Sequence, residues 1–252
     1  MICESLGRVP LFTARFIRVI LKNVGDLMNE LARLELLIGD KVKQLAKKTV
    51  LIIGLGGVGG YAVEALARSG IGHLILVDGD IVEATNMNRQ IIATKNTIGQ
   101  LKTEAWKQRI GEIGTDTKVT CVSAFITAEN IEQLFAFKPD YLIDACDTVA
   151  TKKELIRKSV EYGIPLISCM GMGNKMDPSK IEVTEIRKTS YDPLARAIRQ
   201  MVRKEQIKDD VMVVCSTEAP LQHGSEAIAS NAIVPSVAGL LCANYVFHNI
   251  IS

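Results

Sequence analysis

The stretch that decides the architecture is Thr49-Val50-Leu51-Ile52-Ile53-Gly54-Leu55-Gly56-Gly57-Val58-Gly59-Gly60. Its first five residues are β-branched or aliphatic with no polar alternation, the mark of a strand covered on both faces in a parallel sheet. Gly54, Gly56 and Gly59 then form Gly-x-Gly-x-x-Gly, with Gly57 beside them, ahead of a helical pattern from Val58 to Ser69. A glycine turn in that position lets the backbone approach a phosphate, whose charge then sits at the helix N-terminus. No Lys-Ser or Lys-Thr follows, so the loop is not a P-loop. A second buried-type strand, His73 to Val77, ends at Asp78, the place where βαβ nucleotide sites keep an acid for ribose hydroxyls. Taken alone, this unit implies a dinucleotide or an adenine nucleotide.

Strand and helix continue to alternate downstream. Helices are predicted over Leu101 to Ile113, Ala128 to Phe135 and Val149 to Tyr162, and strands over Lys118 to Val122, Tyr141 to Asp144 and Pro165 to Ser168. That order predicts an α/β fold, a Rossmann-like, doubly wound, mostly parallel sheet with helices on both faces. Right-handed crossovers place the strand C-termini and their loops on one edge. Beyond Gly173 the pattern weakens to a strand Ile181 to Ile186, a helix Pro193 to Glu205, a short apolar run Val211 to Val214 and a Ser/Gly/Ala-rich stretch Ser216 to Ser230 that reads as a mobile loop. Val234 to Ile250 is apolar around most of its circumference, as suits a helix buried against the sheet or a partner. The division expected is a single domain over 28–252, with 174–252 as its C-terminal elaboration. Residues 1–27, basic and weakly amphipathic, read as an extension upstream of a start at Met28.

The 252 residues are 48% apolar, with 30 Lys+Arg against 28 Asp+Glu and a net charge of +2. This balance excludes a wholesale polybasic binder but leaves room for a local basic face. The six cysteines contain no Cys-x-x-Cys pair, so the short spacing of a zinc ribbon is missing. Cys121 and Cys242 fall in core patterns, while Cys146 and Cys169 at strand ends suit a small buried residue as well as they suit chemistry. Arg8, Arg15 and Arg18 interrupt the N-terminal apolar run, and no uninterrupted span of about 20 apolar residues exists. The expectation is a cytoplasmic protein with reduced thiols and no membrane partner.

The segment after the second strand carries Asp80, Asn86, Arg89 and Lys102, and Asp147 follows the strand that ends at Asp144. A site that cleaves ATP needs cations on the triphosphate and a carboxylate for magnesium, demands that Arg89, Lys102 and Asp147 meet. An NAD site needs no such second clamp. Asn86 is equally a helix-cap residue, Asp80 is as much structural as ligand-binding, and Arg89 and Lys102 are compatible with solvated surface charge. On the helix from Pro193, Arg196, Arg199 and Arg203 share one face, which suits phosphates or plain solvent, since Glu205, Asp209 and Asp210 dilute the charge.

This series resembles the ubiquitin-activating-enzyme-like superfamily, and within it the tRNA threonylcarbamoyladenosine dehydratase family. The likeness runs from about Asn29 to Ala219. It includes Ala32-Arg33-Leu34, Val63 to Gly72, Asn86 to Gln90, Asp177-Pro178, Asp192-Pro193-Leu194-Ala195 and Ser216-Thr217-Glu218. The resemblance implies ATP and Mg2+ as cofactors and ATP-dependent dehydration of N6-threonylcarbamoyladenosine in tRNA to its cyclic form through a carboxyl adenylate. It implies nucleotide contacts from Gly54, Gly56, Gly57, Gly59, Asp78, Asp80, Asn86, Arg89 and Lys102, magnesium on Asp147, and catalytic charge from Arg89, Lys102 and Arg33. In such a homodimer Arg33 would reach the ATP of the other subunit. The Cys-x-x-Cys zinc pair of many sulfur-carrier activators is missing here, and Cys215 adjoins Ser216 directly, so no thioester role is assigned to it. A sulfur-transfer protein is a further candidate partner, and three rivals remain: adenylation of the C-terminus of a ubiquitin-like sulfur carrier, an NAD-dependent oxidoreductase on the same glycine loop, and a catalytically inert nucleotide-binding scaffold.

Overall fold

In the computed structural model, which describes residues 30–221 and 228–252, β1 (Thr49–Ile53) lies between β2 (His73–Val77) and β4 (Tyr141–Asp144), parallel to both. β3 (Lys118–Val122), β5 (Leu166–Cys169), β6 (Ile181–Glu185) and β7 (Met212–Ser216) complete a seven-stranded sheet in the order β3-β2-β1-β4-β5-β7-β6. Only β6 is antiparallel, pairing with β7 at one edge. The helices are α1 (Ala32–Ile38), α2 (Val42–Leu45), α3 (Gly59–Arg68), α4 (Lys102–Ile113), α5 (Glu132–Phe135), α6 (Val149–Tyr162), α7 (Pro193–Lys204) and α8 (Ile233–Ile251).

Period-two alternation divides the core between the two faces. Val50 and Ile52 of β1 pack with Leu66 of α3, Trp106 of α4 and Cys242 of α8. Leu51 and Ile53 face the other way, toward Leu134 of α5, Leu155 of α6 and Ile198 of α7. Each such aliphatic side chain contributes about 1.5–3 kcal/mol when fully buried, so a strand apolar on both faces has no competing solvent-exposed register. Strand order reverses direction between β1 and β4, and the crevice at that switch point is where such sheets bind ligands.

α8 is long and apolar enough, by length and composition, to cross a membrane. Here Ala238, Cys242, Ala243 and Val246 join the core face instead, and a Cβ on Gly239 would stand 2.1 Å from the Val58 carbonyl oxygen. That approach seats α8 directly against the start of α3.

The predicted helix over Ala128 to Phe135 shrinks to Glu132–Phe135. The Thr127 N–H donates to Asn130 Oδ1 at 2.8 Å and Asn130 Nδ2 to the Phe125 carbonyl at 2.9 Å, local bonds that compete with a helical turn. The stretch read as a mobile loop, Ser216 to Ser230, is tied down at both flanks: Leu221 N–H donates to the Asn174 carbonyl at 2.7 Å and Ala229 N–H to Asn174 Oδ1 at 2.7 Å. Its middle, 222–227, and the extension expected over 1–27 lie outside the described residues.

Candidate functional site

The glycine loop is shaped by contacts that leave no room for a side chain. Gly54 has φ +85°, and a Cβ there would meet the Ala145 carbonyl oxygen at 2.6 Å; one on Gly59 would stand 1.8 Å from the Gly54 carbonyl oxygen. These two fix the turn and the fit of α3 on β1. Gly56 differs: the nearest atom to its would-be Cβ is Gln90 Nε2 at 3.7 Å, so the space beside it is open. Gln90 Oε1, at the same place, is buried with no hydrogen-bond partner among the described residues. An unmade bond of this kind costs free energy unless a ligand or water completes it, which suits a polar ligand beside the loop.

Asp78 ties the loop to β2. Its Oδ2 accepts from the Leu55 N–H at 2.7 Å and its Oδ1 from the Asp80 N–H at 2.8 Å. Lys102, the first residue of α4, is 5% exposed, with Nζ 2.7 Å from Asp80 Oδ2 and 3.7 Å from Asp78 Oδ2. Its ammonium is therefore buried beneath one firmly bonded carboxylate and one half-exposed one. Asn86 acts as a cap: its Oδ1 accepts from the Glu83 N–H at 3.1 Å in a reciprocal capping box around the short 3-10 turn Ala84–Asn86. That turn delivers Arg89, whose Cγ lies 3.4 Å from the position of a Cβ on Gly57. The guanidinium donates to the Thr85 carbonyl at 3.1 Å and to Asn88 Oδ1 at 2.9 Å, and meets no carboxylate among the described residues.

Asp147 is exposed on the loop after β4, and that loop abuts the glycine turn, with Cys146 N 2.9 Å from the would-be Cβ of Gly54. The Thr148 hydroxyl approaches Asp147 Oδ1 at 3.4 Å. Magnesium keeps several waters and needs one or two carboxylates besides phosphate oxygens, so a free carboxylate at this place fits such an ion. Thus the glycines, Asp78, Asp80, Asn86, Arg89, Lys102 and Asp147 all lie on the C-terminal edge of β1, β2 and β4. Arg33 does not join them. Leu31, at the head of α1, packs on Gly70 just before β2, on the opposite edge of the sheet, so Arg33 is remote from the loop of its own chain.

One buried cluster beneath the site has no counterpart in the residues picked out from the sequence. Asp144 Oδ2 accepts from the Ser168 hydroxyl at 2.6 Å and from Lys152 Nζ at 3.1 Å, and all three residues are fully buried. Burial alone would lower the Lys152 ammonium, but the Asp144 carboxylate outweighs it and holds the group above its usual range. Asp144 Oδ1 accepts from the Cys146 N–H at 3.2 Å, fixing the loop that carries Asp147. The Cys146 thiol is pushed up by burial and by Asp144, and burial and Glu182 push Cys215 up to about 11. Both are thiols, not thiolates, at neutral pH, and neither is prepared as a nucleophile.

Comparison with known proteins agrees with this geometry. A tRNA threonylcarbamoyladenosine dehydratase of Bacillus subtilis (strain 168) is 41% identical over 238 residues, covering 87% of this chain and 94% of the relative. The protein of that name from Escherichia coli (strain K12) is 39% identical over 208 residues, covering 82% and 76%. The crystal structure of the E. coli dehydratase in complex with ATP matches with TM-score 0.81 at 34% identity, covering 86% of this chain and 91% of that one. The ThiF family model matches residues 28–250. With its glycine turn, mostly parallel sheet and edge-clustered charges, this chain belongs to the ThiF family.

Proposed function

We propose that this protein activates the threonyl carboxylate of N6-threonylcarbamoyladenosine in tRNA with ATP and closes it into a ring. The observation that carries this reading is the likeness to the ATP-bound dehydratase across nearly the whole fold, with Lys102, Arg89 and Asp147 of this chain gathered at its glycine turn. A carboxylate is a poor electrophile because its leaving group would be oxide. Attack by its oxygen on the α-phosphorus of ATP expels pyrophosphate and leaves an acyl adenylate, whose leaving group is AMP. An atom of the adjoining carbamoyl group then attacks the acyl carbon, AMP departs, and the net change is loss of water from the nucleoside.

The protein's task is electrostatic and positional. The open space beside Gly56 lets phosphate oxygens approach the turn and accept hydrogen bonds from its backbone N–H groups. Asp78 holds the turn in shape and offers its remaining lone pairs to the ribose. Lys102 exchanges the half-exposed Asp80 for the triphosphate, and Arg89 swings from its carbonyl partner onto the departing pyrophosphate. Asp147 would hold a magnesium ion, which supplies further positive charge to the phosphates. No general base is needed to start, because the attacking carboxylate is already ionised. Arg33, distant from its own loop, serves the site of a second copy in a homodimer. A cytoplasmic setting, where ATP and tRNA are both supplied, suits this reaction.

Mass spectrometry of tRNA nucleosides after incubation with the protein and Mg·ATP tests the reading. Loss of one water from the threonylcarbamoyl adduct is the expected result. Pyrophosphate exchange stimulated only by a ubiquitin-like carrier, or tight binding of NAD without ATP, would overturn it.

A further inference from the structure

The described arginines divide into two groups. Arg68, Arg109, Arg157 and Arg187 each meet a carboxylate. Arg33, Arg89, Arg196, Arg199 and Arg203 meet none among the described residues, and three of these five stand on α7. Ala195, Ile198, Met201 and Val202 bury the opposite side of that helix, leaving the arginines along its outer face. Two of the three acids that follow the helix in sequence are engaged elsewhere. Glu205 accepts from Arg157 Nε at 2.8 Å, Asp210 lies 3.6 Å from Arg187, and Asp209 lines a cavity with Ser159 and Ile164 by the N-terminal end of β5. Charge that looks diluted in the sequence is therefore concentrated in the fold.

The start of this stripe is anchored to the nucleotide edge. Asp192, 3% exposed, caps α7 by accepting from the Leu194 N–H at 2.7 Å through Oδ1, while its Oδ2 accepts from the Gly171 N–H at 2.6 Å, just beyond β5. β7 is parallel to β5, so α7 runs from the C-terminal edge of the sheet back toward the other edge. Immediately before the cap, Tyr191 is 68% exposed and has φ +56°, a conformation that costs a non-glycine residue about 1 kcal/mol or more. An exposed ring held in that conformation, between the reaction edge and three guanidinium groups with no carboxylate partner among the described residues, of which the half-buried Arg199 donates to the Thr189 hydroxyl, matches what single-stranded RNA requires: a stacking surface for a base and cations for its phosphates.

We propose that the outer face of α7, led by Tyr191, is the surface that grips the tRNA backbone outside the reaction crevice. This rests on the tRNA-directed reading above. Arg196, Arg199 and Arg203 hold phosphates, and the Tyr191 ring stacks on an unpaired base at the end nearest the glycine turn.

The test measures binding of an unmodified tRNA transcript across a salt series, with ATP affinity and turnover on modified tRNA measured in parallel. The double variant Arg196→Ala/Arg203→Ala is expected to flatten the log–log salt dependence by about 0.7–0.9 per lost phosphate contact. It should also raise KM for tRNA about tenfold, with the Kd for ATP and the melting temperature unchanged. Arg196→Lys/Arg203→Lys should recover most of the binding, and Tyr191→Ala should weaken binding while leaving the salt slope intact. A double variant with unchanged slope and KM, made in a protein that still cyclises tRNA, would overturn the surface and leave the proposed function standing. A wild-type protein that neither binds nor modifies tRNA would remove both.

Discussion

Two lysine–aspartate pairs flank β1, and they are built to opposite ends. Asp144 and Lys152, beside β4, are both fully buried, and Ser168 adds a third bond to the cluster. Asp78 and Lys102, beside β2, are 3.7 Å apart, with the lysine leaning instead on an Asp80 side chain that is 52% exposed. The first pair is closed off from water, its other hydrogen bonds going to the buried Ser168 and to the Cys146 N–H. The second is a buried lysine held by a carboxylate that water can reach and a phosphate can replace. Similar residue types at the ends of the two strands that flank β1 thus produce a permanent clamp on one side and an exchangeable contact on the other.

Breaking the clamp should have the largest effect. Lys152→Ala strands the Asp144 carboxylate in the core, and a loss of about 3–5 kcal/mol of folding stability is expected from urea unfolding. A change below 1 kcal/mol would show that the pair is not the buried support described here. Lys102→Ala should leave the melting temperature nearly in place while lowering the rate of pyrophosphate exchange about 10²–10³-fold, the scale of losing one preorganised charge donor. If both variants lost stability equally, the distinction between clamp and exchangeable contact would fail. Asp80→Asn should do less: stability within about 1 kcal/mol, as for other half-exposed pairs, and a modest gain in ATP affinity as Lys102 is released. Tighter retention of Lys102 by Asp78, seen as weaker ATP binding, would reverse that expectation.

A third, peripheral pair sets the lower bound. Burial would raise the Glu64 carboxyl, but hydrogen bonds from Arg109 at 2.7 Å and Arg68 at 2.8 Å outweigh it and hold the group below its usual range. A carboxyl depressed in the fold adds stability above its unfolded pKa of about 4.3, and that contribution disappears as pH falls through the lower folded value. Glu64→Gln should therefore cost about 1 kcal/mol or less at pH 7, with the difference from wild type vanishing once pH has fallen through the depressed folded value. A difference that persists unchanged into acid would assign the effect to packing.

The same contrast explains what the sequence disclosed. β1 and β2 were legible because aliphatic runs buried on both faces admit no other periodicity, and the end of α6 because Gly163 takes φ +63° where the helix stops. The glycines and Asp78 lie within or directly after one βαβ unit, so spacing points to them, whereas Asn86, Arg89 and Lys102 lie beyond it and were singled out by the resemblance of the whole segment to a known family. Asp144, Lys152 and Ser168 come from three elements and meet only after β4 and β5 pair in register. No local pattern marks a lysine as buried, and this one sits in a helix otherwise suited to solvent. The double duty of Asp192, as helix cap and as partner of Gly171, was hidden for the same reason. α5 was overestimated because Thr127 and Asn130, polar residues that bond their own backbone, carry a helical pattern without completing it.

The approach of Gly239 to the Val58 carbonyl also bears on the order in which the protein is made. The phosphate turn emerges from the ribosome early, but the helix that packs against its first residues is translated long after it. A nascent chain halted before α8 would carry every residue of the glycine motif and yet lack the wall behind it. The wall behind the glycine turn is therefore completed only when the last helix has been made.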